Sequence, residues 1–341
     1  MQKIILTGMG FMGTMHAQIY QHLKQARIVA VVDTARKQAA ATMENLGIDV
    51  PLFDTLEEAL GAVEADVVDL CLPTDLHLAN SLTAIHAGKH LFCEKPLALT
   101  VAEGKKIAAA ADRAGVTAQV GQCIRFWPEY VAFKKFLDSG KRGKLLSLAL
   151  QRRSSLPDHS VDDWIIDPAR SGGAAVDLHV HDTDFVLYLL GLPSGVTSEA
   201  TFDPKLGPSQ IFTLFHYSGL CVSAECGWNY PAKWGFQMAF QAVFEDAAVE
   251  YDSSADPSLT VTVGKGRKKA LPFKKPSIGG SSTGAGNISS LAGYFNELKS
   301  FVGALEAKRA PETATLPDAV ESLRVVAAEL RSARSGKRVK L

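Results

Sequence analysis

The chain has 341 residues, 47% of them hydrophobic and 21% charged, which is long for one core and suggests two domains. Lysine plus arginine equals aspartate plus glutamate, 36 each, so no net field draws the chain to nucleic acid or to an anionic membrane. No apolar run approaches the ~20 residues of a membrane span. Cys71, Cys93, Cys123, Cys221 and Cys226 are an odd set with no C-x-x-C pair, which argues against a disulfide scaffold or a zinc site. The N-terminus enters a strand at once, leaving no room for a signal peptide, and a reducing cytoplasmic location is expected. The basic end, "RSARSGKRVKL", reads as a solvated tail.

In chain order, Lys3 to Thr7 is an apolar strand, followed by glycines and a helical pattern from about Met12 to Gln25. "RIVAVVD" (Arg27 to Asp33) is a second strand, with a polar helix behind it through Asn45. "ADVVDLCLP" is a buried-looking strand, and His77 to Gly88 a helix stopped by glycine. "KHLFCEKP", a helix from Thr100 to Ala114 and "VTAQVGQ" complete the series. Strands alternating with helices imply α/β architecture: a doubly wound parallel sheet over residues 1–122.

From 123 to 341 the grammar changes to α+β with an open-faced, mostly antiparallel sheet. "KLLSLALQRRSS" alternates apolar and polar residues, as do Gln210 to Glu225, Gly235 to Phe244, Ala247 to Tyr251 and Leu259 to Val263. A helix over Ala174 to Leu190 interrupts them. "PSIGGSSTGAGNISS" (Pro276 to Ser290) reads as a loop, and Leu291 to Lys308 and Leu316 to Arg334 as helices.

Gly8-x-Gly10-x-x-Gly13 lies between strand and helix, and Asp33 stands twenty residues past Gly13, which is the context a dinucleotide-binding turn requires. Gly8, Gly10, Phe11, Met12 and Gly13 are therefore the expected cofactor turn. Asp33 would accept bonds from the adenosine ribose and repel a 2′-phosphate, favouring NAD over NADP. Arg36 and Lys37 nearby could soften that preference. Glu94 and Lys95 end a buried strand, where ligands collect, so Lys95 could polarise a substrate oxygen; a surface ion pair is the alternative.

"SGGAAVDLHVHDTDF" puts Asp177 and His181 at i, i+4 on one helix face, where the carboxylate could orient the imidazole as a general base; an ordinary helix salt bridge is the alternative. His179 points away from that pair, and Asp182 and Asp184 read as helix-surface or capping groups. Asp177, His179, His181 and Asp182 split across two faces, so no metal site is expected.

Together, "GMGFMG", "VVD", "PTDLH", "AGKHLFCEKPLA", "RFWPEY" and "SGGAAVDLHVHDTDF" resemble the glucose–fructose oxidoreductase / inositol dehydrogenase (Gfo/Idh/MocA) family over nearly the whole chain. The resemblance implies a Rossmann domain for NAD or NADP and a second domain for substrate and oligomerisation. It places Lys95, Asp177 and His181 at the reaction centre, Thr74, His77 and Glu94 beside the cofactor, and Arg125 at the inter-domain cleft. Trp164 would cover the substrate or serve as a core tryptophan under a loop. His16, His22 and His86 match no catalytic position and read as helix-surface residues. The family often has glycine where Ala174 and His179 stand. The activity implied is NAD-dependent oxidation of a secondary hydroxyl of a sugar, inositol or polyol, with a homodimer or homotetramer paired through the open sheet. A keto-sugar reductase and a non-catalytic NAD sensor are the rivals.

Overall fold

A computed structural model of the chain describes residues 1–157, 160–276, 278 and 291–341. The loop expected over Pro276 to Ser290 lies, apart from residues 276 and 278, outside them.

The first half runs β1 (Gln2–Thr7), α1 (Phe11–His22), β2 (Ala26–Val32), α2 (Arg36–Leu46), β3 (Leu52–Phe53), α3 (Leu56–Ala62), β4 (Val67–Leu70), α4 (His77–His86), β5 (His90–Glu94), α5 (Val101–Ala114) and β6 (Ala118–Gly121). These six strands form one parallel sheet in the order β3-β2-β1-β4-β5-β6. The order reverses between β1 and β4, and that is where a crevice for a ligand opens at the strands' carboxyl ends. Thr55 and Thr100 each accept from the backbone N–H three residues on while that Glu side chain reaches back, so capping boxes start α3 and α5.

The second half runs α6 (Pro128–Asp138), β7 (Leu145–Ser155), α7 (Pro168–Ser171), a π-helical turn (Ala175–His179), α8 (Val180–Leu190), β8 (Gly195–Asp203), β9 (Gly207–Tyr217), β10 (Leu220–Tyr230), β11 (Phe236–Phe244), β12 (Ala247–Asp252), β13 (Leu259–Val263), β14 (Lys269–Ala270), α9 (Ala292–Glu306), α10 (Leu316–Ser335) and β15 (Val339–Lys340). The nine strands form one sheet, β14-β13-β12-β11-β7-β10-β9-β8-β15. Every neighbouring pair is antiparallel except β7 and β10. Strand β8 was not anticipated, and the run Gln210 to Glu225 is a hairpin turning at Ser218 and Gly219. The tail expected to be solvated ends in a two-residue edge strand, β15, paired with β8.

Inward residues of β7 and β11 (Leu148, Leu150, Phe240, Phe244) pack on Tyr130 and Phe133 of α6 and Phe185 of α8. The opposite face keeps Phe212, Leu214 and Val243 exposed. The two C-terminal helices return to the first sheet. Phe301 of α9 meets Phe92 of β5 with centroids 5.5 Å apart. On the other face, Leu316, Val320 and Leu323 of α10 share a core with Ile107 of α5. That return holds the second sheet, and the α8 helix it carries, against the crevice. Among the described residues no helix is long and apolar enough to cross a membrane.

Candidate active site

The glycine turn is tight because its neighbours leave no alternative. Gly8 has φ +80°, and a Cβ there would run into the Cys71 carbonyl at the end of β4. A Cβ on Gly13 would run into the Gly8 carbonyl oxygen. Gly10, the N-cap of α1, has open space where a Cβ would stand, and no side chain caps the helix. The positive end of the helix dipole thus faces the turn and favours an anion there, with Phe11 and Met12 opening the helix. Asp33 accepts from Met9 N at 2.6 Å and from Ala35 N at 2.7 Å, which fixes its carboxylate beside the turn with lone pairs remaining for hydroxyls. Arg36 is committed to Asp54 at 3.1 Å and to the Leu52 carbonyl. A dinucleotide fits these residues.

Two loops follow β4 and β5. Thr74 is buried at the start of a short 3-10 turn. His77 is buried too, with Nδ1 2.8 Å from the Pro96 carbonyl and Nε2 2.9 Å from the Leu72 carbonyl. It fastens the two loops together instead of presenting a free nitrogen to a cofactor. Burial lowers its basicity below that of an ordinary imidazole, against the pull of those two carbonyls. Glu94 accepts the Lys95 N–H at 3.1 Å.

Lys95 then crosses to the second domain. Its Nζ donates to the Asp177 carbonyl at 2.8 Å and to Asp177 Oδ1 at 3.1 Å. Asp177 sits in the π-helical turn, entered through Gly172 and Gly173, both left-handed. The wider turn alters the i, i+4 stacking that a regular helix would give Asp177 and His181. The expected carboxylate–imidazole bond is absent: Asp177 serves Lys95, and the buried His181 Nδ1 has no hydrogen-bond partner among the described residues. Burial, then the Lys95 and Arg152 cations, push the His181 proton affinity well below that of a free imidazole. An imidazole that resists protonation therefore stands near the Lys95 ammonium group.

Arg125 does not face the cleft with a free guanidinium. It is buried, with Nε and Nη2 each 2.8 Å from Asp184 and Nη1 on Thr313 and Asp318. Asp182 and Asp184, expected on a helix surface, are buried because α8 is covered on several sides. Asp182 pairs with Arg152 at 2.8 and 3.1 Å. Arg152 had a signal: it shares the inward parity of Leu148 and Leu150, and an inward arginine demands a carboxylate. His179 is buried 3.4 Å from Glu329 of α10. Trp164 is half-buried in the turn that follows Val161–Asp163. His22 and His86 are exposed. His16 is not: it is fully buried, 2.8 Å from Asp69.

A parallel sheet with a glycine turn at its switch point, joined to a second sheet that lends an imidazole beside a lysine, defines a two-domain nicotinamide-dependent oxidoreductase. Residues 2–122 match the family model described as "Oxidoreductase family, NAD-binding Rossmann fold", and residues 130–250 match the "GFO/IDH/MocA C-terminal domain". The chain belongs to the Gfo/Idh/MocA oxidoreductase family. It is 26% identical to inositol 2-dehydrogenase of Rhizobium meliloti over 342 residues, 98% of each chain. It is 31% identical to inositol 2-dehydrogenase of Agrobacterium fabrum over 246 residues, 72% of each. Among solved structures, levoglucosan dehydrogenase in complex with NADH and levoglucosan superposes with a TM-score of 0.86 at 20% identity, covering 99% of both chains. It has the same fold.

Proposed function

We propose that the chain is an NAD-dependent dehydrogenase that oxidises a secondary hydroxyl of a sugar, inositol or related polyol. The observation that carries this is the meeting of Lys95 with Asp177, one turn before a buried His181 whose Nδ1 has no hydrogen-bond partner among the described residues. The bound nicotinamide supplies the hydride acceptor. The protein's own groups handle the oxygen and its proton. His181, neutral before reaction, takes the hydroxyl proton. Lys95 donates a charge-assisted hydrogen bond to the same oxygen as negative charge develops. Asp177 keeps the ammonium in place, and in reduction the proton moves back from His181. Asp33 beside the glycine turn and the engagement of Arg36 with Asp54 favour NAD over NADP. The names of the inositol dehydrogenase relatives support the substrate class. The five free thiols suit a reducing cytoplasm.

The test is NADH formation from a panel of inositols, aldoses, other polyols and their acids, with His181→Ala in parallel. Turnover of at least one polyol that collapses in the variant supports the reading; NAD binding with no turnover on any of them contradicts it.

A further inference from the structure

Beneath the crevice, His16 of α1 projects into the body of the first domain, where it meets groups from three other elements. Its Nδ1 is 2.8 Å from Asp69 Oδ2 of β4, and its Nε2 is 3.1 Å from Glu94 Oε1 of β5, within ion-pair distance though not aligned as a hydrogen bond. Tyr20 OH donates to the same Asp69 oxygen at 2.8 Å, and Cys71 Sγ lies 3.2 Å from Nδ1. Glu297 of α9 completes the set: one of its carboxyl oxygens, one of Glu94's and an imidazole nitrogen of His16 lie within 4.8 Å of one another. All these residues are buried except Cys71, which is partly so.

A neutral imidazole carries one N–H and one lone pair. With a carboxylate at each nitrogen, a neutral His16 would aim that lone pair at an anion in a dry site. We propose that His16 is a doubly protonated positioning residue that clamps Asp69 to Glu94, and that Glu297 is the protonated, neutral member of the cluster. Asp69 has three donors around it and Glu94 accepts the Lys95 N–H, an arrangement that suits carboxylates at both ends of the clamp. Neither Glu297 oxygen has a donor among the described residues, and a third carboxylate beside a single imidazolium would lack compensation. Burial and then the Glu94 charge raise the Glu297 carboxyl well above its usual range. Asp69 and Cys71 hold His16 above an ordinary imidazole, against the opposing effect of burial.

The consequence is mechanical. The clamp ties the helix that follows the glycine turn to the end of β5, and through Glu94 it fixes the backbone of Lys95. This rests on the proposed role of Lys95, but its test does not depend on finding the substrate.

Long-range 1H–15N spectra of the full-length protein with 15N-labelled histidine rings report protonation directly, with His16 assigned by its loss in His16→Gln or its shift in Asp69→Asn. Both His16 nitrogens should still show the protonated signature well above pH ~6.5, where an ordinary imidazole has titrated. A neutral His16 near pH 7, or a stoichiometric metal found by elemental analysis of the protein, overturns the proposal. Glu297→Gln should preserve the signature, since the amide mimics a neutral acid; its loss would mean that Glu297 is ionised and the assignment wrong. With an active polyol, Asp69→Asn should introduce an alkaline limb, rate falling about tenfold or more as His16 loses its proton and Lys95 its placement. An unchanged profile in a folded Asp69→Asn protein in which His16 has become neutral would refute the positioning role. Absence of any polyol activity would defeat the dehydrogenase reading and leave the ring-nitrogen result standing.

Discussion

His181 has its protonation set by its burial and by the cations around it. With burial and two cations acting in the same direction, it is neutral at and below the pH where a free imidazole would charge. The acid limb of polyol oxidation should therefore fall below ~6.5, the reference value, as measured by kcat/KM against pH. Asp177→Asn removes the anion that offsets Lys95, so the limb should move lower still while turnover drops. A limb that moves upward would contradict the assignment of that limb to His181 beside Lys95. Lys95→Ala should lower turnover by ~100-fold or more, the effect of losing one donor at the reacting oxygen, and leave NAD affinity within a few fold by fluorescence titration. At the other end of the crevice, Asp33→Ala should narrow an NAD preference of at least ~10-fold in catalytic efficiency. Equal efficiencies in the unaltered enzyme would remove Asp33 from that role.

Helix α8 shows what spacing can and cannot tell. The pattern of "SGGAAVDLHVHDTDF" located the helix and the residues that share a face, yet Asp182 and Asp184 read as surface because periodicity says nothing about how many sides are covered. Here β7 and α10 cover the faces that the sequence left polar, and Arg152 and Arg125 supply the counter-charges. The same limit applies to α1. His16 looked like a surface residue until β4, β5 and α9 brought Asp69, Glu94 and Glu297 around it. An aspartate inside "VVDL" was the available signal, since a buried parallel strand holds a charge only with a partner. The glycine turn, by contrast, was legible as a tight turn, because Gly13 meets the Gly8 carbonyl and Gly8 the Cys71 carbonyl with no room for a Cβ. The π-helical turn left no mark in the pattern, and so the Asp177–His181 bond was expected where Lys95–Asp177 formed. Asp182→Ala would strand a buried Arg152 and should cost about 3–5 kcal/mol by denaturant titration; a loss below about 1 kcal/mol would show that Arg152 finds other partners.

At the scale of the molecule, the outer face of the second sheet is left uncovered by the described residues. Phe212, Leu214 and Val243 stand exposed on it beside Gln151, Glu199 and Glu225. An apolar face of this kind is expected to pair with a second copy, giving a dimer or tetramer. Light scattering at micromolar concentration should report an oligomer that Phe212→Asp with Leu214→Asp reduces to a monomer; a monomeric parent protein would remove the interface. The return of α9 and α10 to the first sheet has the larger consequence, because it brings Lys95 of one domain and His181 of the other to the same place. The central claim is that both act on one substrate oxygen. Single-turnover NADH formation in a double-mutant cycle of Lys95→Ala and His181→Ala tests it directly. Groups serving one transition state are strongly non-additive, so the double variant should be little slower than the slower single one. Losses that simply multiply, or a His181→Ala enzyme that keeps its rate, would contradict the account.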